Sequence, residues 1–279
     1  MPRQLPRFFH LHLVSDATGE TLNAIAKAAI VQYSDVRSIE HVHSLVRTKK
    51  QLERVLQEIE SAPGIVLYTL VNPDLAKQLE DYCKSLNVPS VPVLDGVLQV
   101  FESYLGAPAT PTVGGQHVLD AAYFKRIDAL NFTMVHDDGK LPENLDEADI
   151  VIVGISRTSK TPTSIYLAQR GYKTTNLPLI PGIPIPRQLE EADKAFVVGL
   201  VASADRISQV RRNRVLALAD RNLDEYVDRG LIEEEIAYTR RLCNRKGWPI
   251  IDVTRRSVEE TAAAILAQYN ERASKAAES

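Results

Sequence analysis

Residues 148–171 read "ADIVIVGISRTSKTPTSIYLAQRG", and how this stretch is read decides the fold. An apolar run ends at Gly154, a short loop rich in hydroxyl side chains follows, and a helical pattern then runs to Gly171, a helix C-cap. The loop approaches the phosphate-binding pattern G-x-x-x-x-G-K-[ST]: Gly154 opens it and Lys160-Thr161 close it. Gly154, Ile155, Ser156, Arg157, Thr158, Ser159, Lys160 and Thr161 are therefore candidate phosphate-binding residues. In such a loop backbone N–H groups point at phosphate oxygens, and the next helix adds the positive end of its dipole. Lys160 supplies a cation for the moving phosphoryl group and Thr161 a hydroxyl for Mg²⁺. Pro162 falls in the first helical turn, where its missing N–H does little harm. Ser159 stands where the pattern has a second glycine, the residue that takes positive φ without cost. A Ser/Thr-rich turn that merely caps a helix is the competing reading, and the strand-loop-helix context favours phosphate.

The same alternation extends outward in both directions. Strand patterns over 8–15, 39–46, 64–71 and 88–95 alternate with helical patterns over 20–33, 49–61 and 73–87, the last opened by Pro73. Residues 106–117, "GAPATPTVGGQH", break the rhythm with prolines and glycines and read as a loop without a dinucleotide fingerprint. A helix leading into a strand or turn is expected over 121–139. Strands follow at 148–154, 173–180, 194–201 and 248–254, and helices at 161–170, 187–193, 205–219, 233–246 and 257–273. Ser257 and Glu260 make a capping box for the last helix, and Gly247 ends the one before. Strands alternating with helices predict an α/β fold with parallel sheets covered on both faces. The expected organisation is an N-terminal parallel-sheet α/β unit, residues 1–110, then a P-loop-like nucleotide-binding kinase unit, residues 111–279, with the change near 105–120.

The 279 residues are 44% hydrophobic and 25% charged, the balance of a soluble globular chain. A net charge of −3 argues against general attraction to nucleic acid or membranes. Two cysteines, Cys83 and Cys243, cannot build a disulfide framework and fit a reducing compartment. No apolar run reaches membrane-span length, and the N-terminus lacks a long uncharged segment, so a cytoplasmic protein is expected.

Other residues carry chemistry in one reading and structure in another. Asp137 and Asp138 in "HDDG" could orient an attacking hydroxyl or hold Mg²⁺, or could simply form a turn. Asp252 ends an apolar strand, where an Mg²⁺-linked acid or a capping aspartate would equally stand. Arg211 and Arg214 in "VRRNRV" could clamp phosphate oxygens or lie on a solvated helix face. Arg255 and Arg256 carry less. Asp16, Thr18 and Glu20 sit where the first strand meets its helix, a place for an anion or a cap. His10 with His12, and His41 with His43, each share one strand face, and no metal-ligand spacing accompanies them.

Several of these segments occur together in one family. "LVSDATGETL" (13–22), "VHDDG" (135–139), "GISRTSKTPTSIYLA" (154–168), "VRRNRV" (210–215) and "IIDVTRRSVEETAAAI" (250–265) resemble, in this order, the regulatory proteins of pyruvate, phosphate dikinase and phosphoenolpyruvate synthase. The resemblance covers nearly the whole chain. It implies a bifunctional serine/threonine kinase and phosphorylase. ADP would phosphorylate a threonine of the target; inorganic phosphate would later remove that phosphoryl group as pyrophosphate. It implies residues 154–161 as the nucleotide loop and favours a functional Asp137 and Asp138. The site expected from residues and resemblance together has Lys160, Asp137 and Asp138 as catalytic, Arg211 and Arg214 near substrate phosphate, and Thr161 with Asp252 toward Mg²⁺. Thr-Ser-Lys-Thr at 158–161 resembles the dikinase branch rather than the synthase branch, which keeps Gly-Lys-Thr. The partner expected is therefore pyruvate, phosphate dikinase, with a homodimer expected on base rate. A small-molecule P-loop kinase and a non-catalytic nucleotide-sensing module are the alternatives from the residues alone.

Overall fold

The computed structural model describes residues 7–110, 112–115, 120–218 and 224–277. Residues 111, 116 and 117 of the expected loop, and residue 219 at the end of an expected helix, lie outside these. The chain divides into two compact units, Met1–Val118 and Leu119–Ser279.

Unit 1 holds β1 (Arg7–Ser15), α1 (Glu20–Ile30), β2 (Val36–His43), α2 (Lys49–Ser61), β3 (Gly64–Thr69), α3 (Pro73–Ser85), β4 (Ser90–Pro92) and α4 (Asp95–Leu105). All strands are parallel, in the order β2-β1-β3-β4. Apolar stripes set the layers. Leu52, Val55, Leu56 and Ile59 of α2 and Leu75 and Leu79 of α3 bury against Val14, Val66 and Tyr68 on one sheet face. Leu22 and Ala26 of α1 bury against Leu11 and Leu13 on the other. Thr48 and Gln51 form a capping box on α2, and Asn72 caps α3 ahead of the expected Pro73.

Strand β2 lies three residues earlier than its apolar pattern predicts. Leu45 takes positive φ of 59°, and the N–H groups of Leu45 and Val46 turn back to the carbonyls of Ala17 and Ser15. The apolar end of the pattern thus seals the end of β1 instead of extending a strand. Asp16 joins this corner by accepting the Val71 N–H at 2.6 Å. The four histidines stack across β1 and β2. His10 Nδ1 lies 2.9 Å from His41 Nε2, His12 Nδ1 lies 3.2 Å from His43 Nε2, and His12 Nε2 meets the Ala62 carbonyl at 2.9 Å. Burial lowers the pKa of both His12 and His43, and for His43 the Glu58 carboxylate at 3.8 Å opposes this only in part.

Unit 2 holds α5 (Ala121–Val135), β5 (Ile150–Gly154), α6 (Lys160–Ala168), β6 (Thr174–Pro178), α7 (Arg187–Glu190), β7 (Phe196–Val201), α8 (Ala204–Leu218), α9 (Asp224–Val227), α10 (Arg229–Lys246), β8 (Ile250–Asp252) and α11 (Val258–Ala277). Its sheet is also parallel and has the same wiring, β6-β5-β7-β8. Ile150, Ile152, Val198 and Leu200 bury toward Leu167 of α6 and Ala262 and Ile265 of α11. Val151, Val153 and Val197 bury on the other face with Leu242 and Cys243 of α10. The chain leaves β5 toward β6 on one side and leaves β7 toward β8 on the other. The carboxyl ends of β5 and β7 therefore form a topological switch point, where open α/β sheets bind ligands. Among the described residues no helix is long and apolar enough to cross a membrane.

Candidate functional site: the loop at the end of β5

The loop 154–161 runs from the carboxyl end of β5 into the first turn of α6, at that switch point. Gly154 has φ 153°, and a Cβ there would lie 2.4 Å from the Leu200 carbonyl oxygen of β7. The loop thus presses against its neighbouring strand, which only a residue without a side chain allows. Arg157 and Ser159 both take positive φ, 76° and 60°. Serine therefore adopts the left-handed geometry that the glycine of the motif would supply. Its exposed side chain makes no cap bond, and α6 starts directly after it.

Lys160 folds back into the loop. Its ammonium donates to the Ile155 carbonyl at 3.0 Å, beside the Thr158 hydroxyl, which donates to the same oxygen at 2.9 Å. Burial pushes its pKa down from 10.5 to about 8; Asp138 and Asp137 pull it up, while Arg157 and Arg211 push it further down. A buried ammonium with a weakened hold on its proton gains most from an added anion.

The "HDDG" segment follows α5 and is laid along β6. Gly139 N–H donates to the Asn176 carbonyl at 2.9 Å, and Thr175 Oγ1 donates to the His136 carbonyl at 2.6 Å. This anchoring brings Asp137 to the loop. Its Oδ1 accepts from Thr161 Oγ1 at 2.9 Å and from the Asn176 side-chain amide. Asp138 has φ 51° and Gly139 φ 88°, so the pair also makes the turn. The turn is present, and it brings the Asp137 carboxylate to Thr161.

The expected arginine clamp separates. Arg211 is 1% exposed, and its guanidinium pairs with Glu235 of α10 at 2.6 Å, donates to the Tyr226 carbonyl at 3.0 Å and stacks 4.5 Å over the Tyr226 ring. Arg214 is exposed on α8. The Tyr226 hydroxyl in turn meets Ser156 Oγ at 3.2 Å and accepts from Arg157 Nε at 3.1 Å. Burial raises the Tyr226 pKa, but these bonds and the arginine charges outweigh it and the net shift is downward. Arg211 thus reaches the loop both through Tyr226 and directly, its guanidinium donating to the Ser156 carbonyl at 3.5 Å. Asp252 sits at the end of β8, where its carboxylate accepts from Thr254 N–H at 2.9 Å and pairs with Arg240 at 3.5 Å. Asn176, Tyr226 and Glu235 escape the sequence reading. Only Asn176 leaves a trace, as a polar residue inside a buried strand pattern.

A family model described as kinase/pyrophosphorylase matches residues 11–266. The chain belongs to the kinase/pyrophosphorylase family. Its relatives there include proteins named pyruvate, phosphate dikinase regulatory protein. That from Chelativorans sp. (strain BNC1) is 63% identical over 93% of this chain and 96% of its own length. That from Bradyrhizobium diazoefficiens is 59% identical over 95% of each chain, and that from Brucella anthropi 61% identical over 93% and 95%. Among solved structures, a mitochondrial ornithine carbamoyltransferase from Coccidioides immitis matches over 93% of this chain and 77% of its own, at 12% identity and a TM-score of 0.24. The family description and the relatives' names support a phosphotransferase-type enzyme.

Proposed function

We propose that this kinase/pyrophosphorylase uses the 154–161 loop to inactivate and reactivate pyruvate, phosphate dikinase. The observation that carries the proposal is the loop itself: left-handed backbone at Arg157 and Ser159, a buried Lys160 and the Asp137 carboxylate, all at the end of β5. The dikinase as target rests on the names of the relatives. In the kinase direction the threonine hydroxyl attacks the β-phosphorus of ADP, the bond to AMP breaks, and the hydroxyl proton passes to a carboxylate. In the phosphorylase direction inorganic phosphate attacks the phosphothreonine phosphorus, the phosphorus–threonine oxygen bond breaks to give pyrophosphate, and the threonine oxygen takes a proton back. Both directions need a cation on the moving phosphoryl group and a carboxylate near the attacking oxygen. Lys160 fills the first role. Asp137 or Asp138 fills the second; the Thr161 and Asn176 bonds to Asp137 both fall on Oδ1 and hold that carboxylate beside the loop.

The donor set also suits Mg²⁺, which takes oxygen ligands from one or two carboxylates and completes its shell with phosphates and water. Thr161 and Asp137, held together at 2.9 Å, would hold it, whereas Asp252 is paired with Arg240. Bound there, it would neutralise phosphate charge. Purified protein incubated with ADP and purified dikinase should generate phosphothreonine on the dikinase, read by mass spectrometry, and AMP in equal amount. Nucleotide turnover with a small metabolite and none with the dikinase would refute the proposal. Asp137→Asn is near-isosteric and should cut transfer at least a hundred-fold while ADP affinity changes only a few-fold. A variant with wild-type rates in both directions would leave Asp137 a turn residue.

A further inference from the structure

The crossover from β6 to β7 begins with Leu179-Ile180-Pro181-Gly182-Ile183-Pro184, none of whose side chains the proposed reaction uses. Residues 180–183 form a β-turn. Ile183 N–H donates to the Ile180 carbonyl at 3.2 Å, Pro181 takes the second position, and Gly182 takes the third with φ 80°. This residue order suits a type II turn: proline presets the first central φ, and glycine supplies the positive one. The turn is pinned at both ends. Leu179 and Leu189 are buried in the core of unit 2, and the Tyr238 hydroxyl of α10 donates to the Ile183 carbonyl at 3.3 Å. Its shape is therefore fixed before anything binds.

What the turn displays is apolar and open. Ile180 is 51% and Ile183 54% exposed, and Pro181, Gly182 and Pro184 are exposed too. A Cβ on Gly182 would meet no atom within 4 Å, so the apex projects outward and is not the wall of a cleft. The segment carries no charge, and Arg187 and Glu190 of α7, which follows, pair with Glu191 and Lys246. One exposed isoleucine is ordinary. Two on a rigid, uncharged, projecting turn make a preformed contact surface.

The position of the turn indicates its occupant. The Leu179 N–H donates to the Gly154 carbonyl at 3.0 Å, so the turn starts one residue beyond a bond to the first residue of the phosphate loop. Pro178 lies against the Asp137-Asp138-Gly139 segment: a Cβ on Gly139 would be 3.5 Å from the Pro178 Cδ. The apolar turn thus stands at the rim of the site, beside both the loop and the segment that carries the acid pair. A nucleotide base needs a concave apolar pocket, which a projecting turn does not offer. A protein acceptor fits. To bring a hydroxyl to Lys160 and Asp137 it must lay the surface around that hydroxyl on the rim. Interface cores are apolar, and a preordered contact costs little entropy to bind.

We propose that the Ile180–Ile183 turn is the docking point for the target protein and packs on an apolar patch beside the acceptor hydroxyl. The inference rests on the kinase reading given above and deepens it. It separates protein acceptors from small hydroxyl compounds, because only a protein surface spans both the turn and the loop.

The test compares the wild type with the double substitution Ile180→Ser/Ile183→Ser, which leaves Pro181 and Gly182 in place. Transfer from ADP is followed against the concentration of purified dikinase, ADP affinity is measured by calorimetry, and the chain alone is sedimented. Loss of the two half-exposed aliphatic side chains should raise KM for the dikinase roughly ten- to a hundred-fold, with kcat at saturating dikinase and ADP affinity changed by less than about twofold. Ile180→Val/Ile183→Val should keep the wild-type KM. An unchanged KM in the serine variant overturns the inference and leaves the proposed function standing. So does an equal loss of ADP affinity, which would make the turn part of the nucleotide site. So does altered sedimentation with KM unchanged, which would make it a contact between copies. A wild type that transfers nothing to the dikinase overturns the function itself, and the docking point with it. Should circular dichroism show the serine variant misfolded, Ile183→Ala alone decides by the same readings, with a smaller rise in KM expected.

Discussion

At the scale of single residues, Lys160 and Ser159 set the character of the loop. Burial pushes the Lys160 pKa down to about 8, and phosphate bound at the loop, as proposed, would favour the protonated form. Binding therefore takes up a proton once the pH exceeds 8. ADP affinity should hold steady below pH 8 and then fall about tenfold per pH unit until the pKa of the complex is reached. Calorimetry across this range checks the slope, and Lys160→Met, which has no titrating group, should bind weakly with no break near pH 8. Lys160→Ala should remove kinase turnover and leave the fold intact; normal phosphorylation by a folded variant would remove the phosphate-loop reading. Ser159 is already in the left-handed region, a strain of roughly 1–2 kcal/mol for a side-chain-bearing residue. Replacing it with glycine relieves this but adds roughly 0.5–1 kcal/mol of lost chain entropy. Ser159→Gly should therefore shift stability by under about 1 kcal/mol and leave transfer nearly unchanged. A silent wild type rescued by glycine would mean that the loop has decayed.

At the scale of elements, the loop is held from two sides, by β7 beneath it and by the α8–α10 region through Tyr226. Gly154→Ala forces a methyl into the Leu200 carbonyl and should cost about 1–3 kcal/mol, seen as a lower denaturation midpoint. Glu235→Gln strips the buried Arg211 of its counter-charge. Breaking such a pair costs about 3–5 kcal/mol, and because Glu235 is partly exposed the loss should fall near the lower end. Chemical denaturation would read that loss, and weaker ADP binding would show that the pair steadies the loop. The elements themselves were legible, since apolar runs and helical stripes alternate and the caps at Pro73, Ser257 and Gly247 sit where they are expected. Helix α4 was not, because its stripe lies between a short strand and a Pro/Gly-rich loop and has no cap signal at its start. The loop at 154–161 was legible because a strand, a turn and a helix are contiguous. The partners of Asp137 and Arg157 were not: Asn176 and Tyr226 lie 39 and 69 residues away in sequence, and no local pattern links residues so far apart.

At the scale of the whole molecule, one wiring diagram is used twice, and the two copies of it answer acid differently. In unit 1, His12 and His43 bind protons less readily in the folded state than in the unfolded chain, whose histidines titrate near 6.5. Their contribution to stability is present above that value and is lost as pH falls below it, because the unfolded chain then binds more protons. Unit 1 should therefore loosen first in mild acid. Hydrogen exchange followed through that window should show β1 and β2 losing protection ahead of β5 and β7, and equal loss in both units would contradict this. The stacked histidines also fix where the first proton goes. The Ala62 carbonyl can only accept, so His12 must carry its hydrogen on Nε2. Its Nδ1 is then a lone pair, and His43 must turn its own Nε2–H toward it. One backbone oxygen thus dictates the tautomer of two rings, and the only basic nitrogen left on that pair is His43 Nδ1, facing Glu58. Imidazole ¹⁵N spectra should find both rings as Nε2–H tautomers at neutral pH, with His43 Nδ1 the first to gain a proton on acidification.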